Sequence, residues 1–119
     1  MNVALVGATN KPERYAYQAM RLLWEKGHRV YLVHPRLAEI EGARVYRTIR
    51  EIPERIHTVT LYVAASRSVP MVQEILECRP QRIVFNPGAE NDALEKKARG
   101  AGIQTVQGCT LVMLKTDQF

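Results

Sequence analysis

Apolar residues recur along the chain in two alternating rhythms. Short continuous runs come first: Val3-Ala4-Leu5-Val6, then Arg29 to Val33, then Thr58 to Ala64, Arg82 to Phe85 and Ile103 to Val106. Each has the length and the β-branched content of a buried strand. Between them the apolar positions fall at helical spacing. Ala16, Ala19, Met20 and Leu23 stand at i, i+3, i+4 and i+7, which predicts a helix from about Arg14 to Lys26, ended by Gly27. Ser68-Val69-Pro70 predicts the start of a second long helix, with Ser68 as N-cap and Val69, Val72, Ile75 and Leu76 on its apolar face. Asn91 predicts the cap of a third, in which Leu94, Ala98 and Ala101 share a face before Gly102.

The segment Leu37–Tyr46 is less regular. Gly42 marks a turn and Val45-Tyr46 a short extended piece. Thr48-x-x-Glu51 matches a capping box, with one helical turn ending before Pro53. The apolar tail Leu111–Leu114 fits a strand, a helical turn or a contact surface equally well.

The crossovers between strands are too long for hairpins, so parallel pairing with right-handed connections is expected. The predicted fold is α/β: a Rossmann-like doubly wound parallel sheet of five strands in the order 3-2-1-4-5, with helices on both faces. At 119 residues the expectation is one domain, long enough to bury a core without disulfides or metals. No internal repeat or linker interrupts it.

Composition narrows the function. No apolar run approaches a membrane span, and Met1-Asn2 leads straight into a strand with no signal-type segment, so a cytoplasmic protein without membrane association is expected. Cys78 and Cys109 lie in different elements with no CxxC or His/Cys cluster, which indicates neither a metal nor a redox pair. The net charge of +5 suits a polyanionic ligand. Nucleic acid would need basic residues spread over one face among aromatics. The aromatics fall instead in predicted strands and the first helix, so no nucleic-acid partner is expected.

In an open parallel sheet, ligands bind beyond the carboxyl ends of the strands. The residues there are Gly7, Ala8, Thr9, Asn10, Lys11, Arg14 and Tyr15 after the first strand, and Val33, His34, Pro35 and Arg36 at the second. Val63, Ala64, Ala65, Ser66 and Arg67 follow at the third, and Asn86, Pro87 and Gly88 at the fourth. Lys11, Arg14, Arg36 and Arg67 put four cations on this edge, with Glu13 the nearest acid. The first loop sits where backbone amides and a helix N-terminus favour phosphate. It is not the dinucleotide fingerprint, because Thr9 and Pro12 stand where glycines would be needed. Nucleotide folds that take NAD place an acid after the second strand to hold the ribose diol. Arg36 stands there instead, which favours an adenosine bearing a ribose phosphate: coenzyme A, or NADP.

Val-Gly-Ala-Thr-Asn-Lys-Pro-Glu-Arg-Tyr at 6–15, Val-His-Pro at 33–35 and Asn-Pro-Gly-Ala-Glu-Asn at 86–91 resemble the small stand-alone CoA-binding proteins. These are similar to the N-terminal domain of the succinyl-CoA synthetase α subunit. The resemblance covers nearly the whole chain. It implies CoA or acyl-CoA as ligand: phosphates near Gly7, Ala8, Thr9 and Lys11, the adenosine end near Val33, His34, Pro35 and Arg36, and a wall at Val63–Arg67. His34 stands where such proteins commonly carry Asn or Ser. The synthetase's phosphorylated histidine belongs to a later domain, so synthetase activity does not carry over.

No catalytic constellation accompanies these residues. Gly-x-Ser-x-Gly and the P-loop are absent, and His28 and His57 lie far from any nucleophile. His34 and Cys109 are the two reactive side chains placed at the ligand edge. The expected function is a non-catalytic CoA-binding module, acting alone or through a protein partner. A small NADP-dependent oxidoreductase is the alternative.

Overall fold

The computed structural model describes residues 1–119. Seven strands form one sheet: β1 (Asn2–Val6), β2 (Arg29–Val33), β3 (Glu39–Ile40), β4 (Ala43–Tyr46), β5 (Thr58–Leu61), β6 (Arg82–Phe85) and β7 (Gln104–Gln107). The helices are α1 (Tyr15–Glu25), α2 (Ala65–Ser68), α3 (Val72–Glu77), α4 (Asp92–Gly100) and α5 (Thr110–Lys115). Two 3₁₀ turns, Ile49–Glu51 and Val69–Met71, complete the chain.

The sheet order is β3-β4-β2-β1-β5-β6-β7, and every pairing is parallel except β3 with β4. The Rossmann-like class holds. The expected five strands in the order 3-2-1-4-5 do not. The segment that reads as irregular contributes a hairpin, and its second strand, β4, takes the flank of β2. The strand at Thr58 then pairs with β1 on the other side. Burial explains the exchange. All four residues of β5 are buried, which requires a central position, whereas β4 exposes Arg44 and suits the periphery.

Side chains alternate along β1 and divide the core. Val3 and Leu5 pack with Ala16, Ala19, Met20 and Leu23 of α1 and with Leu111 and Leu114 of α5. Ala4 and Val6 face the other way, toward Val59, Ile83, Phe85, Ile75 of α3, and Leu94 and Ala98 of α4. The tail Leu111–Leu114 is therefore helical and covers the sheet beside α1.

Several boundaries differ from the sequence reading. The second helix begins at Ala65 and passes through a 3₁₀ turn into α3. Ser68 is no cap: it is fully buried, and its Oγ accepts from Asn91 Nδ2 at 2.7 Å. The capping box at Thr48 does not close, because Glu51 accepts from the Arg47 amide instead, at 3.0 Å. The third predicted strand ends at Leu61 rather than Ala64. The Asn91 cap does form, its Oδ1 accepting from the Leu94 amide at 3.0 Å.

Val6 pairs with both Val33 and Leu61, Val33 with Tyr46, and Leu61 with Phe85. Five strands thus end at one level, and the loops that follow share one edge.

Candidate functional site

The first loop leaves β1 through Gly7, at φ +96. The amides of Gly7 and Ala8 both donate to the Val33 carbonyl, at 3.1 and 3.2 Å. These two groups lock the loop to β2, so the phosphate cradle expected from them is not free. The Lys11 amide donates to Thr9 Oγ1 at 3.2 Å. The Thr9 and Asn10 amides take no partner, and Arg14, the N-cap of α1, supplies no side-chain cap. The groups this leaves free to meet an anion are the Thr9 and Asn10 amides, the first turn of α1, and the side chains of Lys11 and Arg14.

Two chambers open at this edge. One, of about 430 Å³, is walled by Val6, Val33, Pro35, Val63 and Met71, with Thr48, Arg47, Arg67 and Glu74 as its polar groups. The other, of about 470 Å³, is formed by Gly7–Lys11, Arg14, Arg36, Leu37 and Tyr62. Both include Gly7, His34, Val63 and Arg67, which makes them halves of one cleft, apolar on one side and cationic on the other. Across the His34 loop, Arg36, Arg44 and Arg47 surround a third hollow of about 480 Å³ that also includes Glu51.

None of Lys11, Arg14, Arg36, Arg44, Arg47 and Arg67 is ion-paired. The chain's ion pairs use Arg21, Lys26, Arg50 and Arg99 instead. Six cations without carboxylate partners leave the cleft and the hollow beside it complementary to a multiply charged anion.

His34 has a defined protonation state. Its Nδ1 lies 3.0 Å from each of the Arg36 and Leu37 amides, and only an unprotonated nitrogen accepts from both. Burial, then Arg36 and Arg67, hold its pKa below the ordinary value. The ring is neutral with its proton on Nε2, which suits it to donate to a ligand rather than to take up a proton. Burial pushes the Tyr62 phenol up to about 12, and its hydroxyl has no partner. Burial also raises the Glu74 carboxyl, against the pull of Arg50. No group of three or more His, Cys, Asp or Glu side chains is arranged to hold a metal ion.

Of the residues the sequence points to, Gly7, Ala8, Thr9, Asn10, Lys11, Arg14, Val33, His34, Pro35, Arg36, Val63 and Arg67 line the two chambers. Tyr15, Ala64, Asn86, Pro87 and Gly88 do not. Tyr15 is exposed at the start of α1, and Ala64 is the N-cap of α2. Asn86 is buried with its side chain engaged: Nδ2 donates to Thr60 Oγ1 and the Leu61 carbonyl, and Oδ1 accepts from the Thr110 amide. The Gly88 amide donates to Glu90. Cys109, half-buried at the start of α5, lines neither chamber. The sequence reading missed Arg47, Thr48, Met71 and Glu74. Reading Ala43–Tyr46 as a strand would have placed Arg47 and Thr48 at its carboxyl end, and the i, i+3 spacing of Met71 and Glu74 puts them on one helix face.

A family model described as a CoA binding domain matches residues 1–115. The chain belongs to that CoA-binding domain family. Two curated relatives come from Pyrococcus furiosus. The α subunit of ADP-forming acetate–CoA ligase I is 35% identical over 92 residues, 72% of this chain and 19% of the subunit. The α subunit of ligase II is 31% identical over 77 residues, 64% of this chain and 16% of the subunit. The CoA-binding domain thus spans under a fifth of either subunit. Among solved structures, a hypothetical protein from Pyrococcus horikoshii is 32% identical with a TM-score of 0.91, over 96% of this chain and 81% of the other. No helix in the CoA-binding domain is long and apolar enough to cross a membrane.

Proposed function

We propose that the cleft binds coenzyme A or an acyl-CoA, and that the chain is a binding module rather than an enzyme. The observation that carries this reading is the set of unpaired arginines around His34-Pro35-Arg36, where a diol-binding nucleotide site would carry an acid. The ligand's chemistry fits the cleft in three parts. An adenine is flat and apolar-faced, as the chamber of Val6, Val33, Val63 and Met71 requires. The pyrophosphate suits Thr9, Asn10, Lys11, Arg14 and Arg67. The 3′-phosphate suits Arg36 with Arg44 and Arg47.

The non-catalytic reading rests on His34, whose Nδ1 is committed to two backbone amides, and on the lack of a nucleophile paired with a base in the cleft. The ligase activity named for the Pyrococcus furiosus relatives is theirs; this chain matches only a small part of them. NADP shares a ribose phosphate with CoA and remains a competitor for the test.

Calorimetric titration with CoA, dephospho-CoA, NADP and NAD decides between them. CoA is expected to bind tightest, and dephospho-CoA about ten- to a hundred-fold more weakly, the worth of charge-assisted hydrogen bonds to one phosphate. Arg36→Ala should erase most of that difference, while Arg99→Ala, whose guanidinium is tied to Glu95 and Thr105, should not. NAD as the tightest ligand would overturn the reading.

A further inference from the structure

We propose that Glu74 is a specificity-determining residue: its carboxyl group accepts a hydrogen bond from the exocyclic amine of adenine and so selects a 6-aminopurine in the apolar chamber. The inference rests on the CoA reading and goes beyond it, because it names the group that reads the base.

Glu74 is the only acid lining that chamber, and its side chain is only 14% exposed. Its carboxylate takes no hydrogen bond from the chain. It forms a long ion pair with Arg50 Nη1 at 3.9 Å, while the Arg50 guanidinium donates its hydrogen bonds to Glu77 at 2.9 and 3.1 Å. Its oxygens still reach solvent, so a ligand that closes over them and supplies a donor gains affinity, and one that closes over them without a donor is penalised.

Of the other polar groups around the chamber, Arg47, Arg67 and His34 Nε2 are donors suited to phosphate or ribose oxygens, and the Thr48 hydroxyl both donates and accepts. An amine on the base is a ligand donor that matches the Glu74 acceptor here. Met71 stands three residues before Glu74 and lines the same chamber, its thioether suited to an aromatic face. Burial raises the Glu74 carboxyl, and either protonation state suits adenine. Ionised, it accepts from the amine; neutral, it also donates to N1. Purine riboside offers no donor at this edge, and hypoxanthine offers only its N1–H, which the carboxylate reaches by leaving the position opposite the amine, where the 6-carbonyl would set its lone pairs against it.

The test uses three 3′,5′-bisphosphates, of adenosine, of purine riboside (which lacks the amine) and of inosine, titrated into wild type and Glu74→Gln. The wild-type protein should bind the adenosine compound at least about ten-fold more tightly than either analogue. Glu74→Gln should keep adenosine binding, because its amide oxygen still accepts. It should gain affinity for the inosine compound, whose carbonyl accepts from the amide nitrogen. Misfolding cannot produce that gain. Equal wild-type affinity for all three overturns the inference while the CoA reading stands, and so does discrimination that survives unchanged in Glu74→Gln. Failure of both CoA and the adenosine bisphosphate to bind overturns both.

Discussion

A side chain on Gly7 would collide with Val63. A Cβ built there lies 2.9 Å from Val63 Cγ1, and 3.0 and 3.1 Å from the Tyr62 carbonyl carbon and oxygen. The residue also holds φ at +96, which L side chains rarely adopt. This glycine lets the loop after β1 pass the chain after β5 at the joint between the two chambers. Gly7→Ala is therefore expected to cost about 2–4 kcal/mol, the sum of backbone strain and overpacking. Urea denaturation measures it. A loss below about 0.5 kcal/mol, within the range of an ordinary surface change, would show that the joint yields freely.

Asn86 illustrates what a sequence does not reveal about a polar residue at a strand end. Its position after β6 is that of a ligand contact, yet its side chain points inward and joins β5, β6 and α5. Thr60 and Thr110 complete the network, their hydroxyls 2.8 Å apart. Asn86→Ala leaves the Thr110 amide without its acceptor and the Leu61 carbonyl without that donor. The expected loss is about 2–4 kcal/mol of stability. CoA affinity of the folded variant should stay within about two-fold of wild type, well under the ten-fold of a lost charge-assisted contact. A fold of normal stability with strongly weakened CoA binding would return Asn86 to the ligand site.

The parts of the fold legible in the sequence were those with strong local signals. The runs before Gly7 and His34-Pro35 are continuous and apolar, and the α1 stripe has four residues in register, so the cationic chamber could be drawn from them. The apolar chamber could not. Two of its polar residues, Arg47 and Thr48, follow a four-residue strand that exposes an arginine, too short to stand out by pattern. Met71 and Glu74 follow a helix that starts four residues earlier than a Ser68 cap suggests, because the proline falls in a 3₁₀ turn inside the helical segment rather than at its start. Strand order failed for the same reason: with β4 uncounted, the strand at Thr58 inherited its place beside β2.

His34 supplies a pH dependence whose sign follows from its contacts. Protonating Nδ1 would place a hydrogen between that nitrogen and the Arg36 and Leu37 amides that now donate to it. Burial and the neighbouring Arg36 and Arg67 oppose the charge as well, so the folded pKa lies below the ordinary value of about 6.5. A base whose pKa is depressed by folding contributes stability that is present above the unfolded value and lost as pH falls through the folded one. His28 and His57 are depressed too, mainly by burial, so the effect of His34 must be read as a difference between proteins. His34→Asn provides it: the amide oxygen accepts from the same backbone groups and does not titrate. Acidification from about pH 7.5 to about pH 5 should destabilise wild type more than His34→Asn, and the two curves should run parallel at higher pH. Nitrogen-15 shifts of the ring should report Nε2 as the protonated site in wild type. Curves that fall equally on acidification, or a ring protonated at Nδ1 at neutral pH, would show that the two amides do not fix the tautomer.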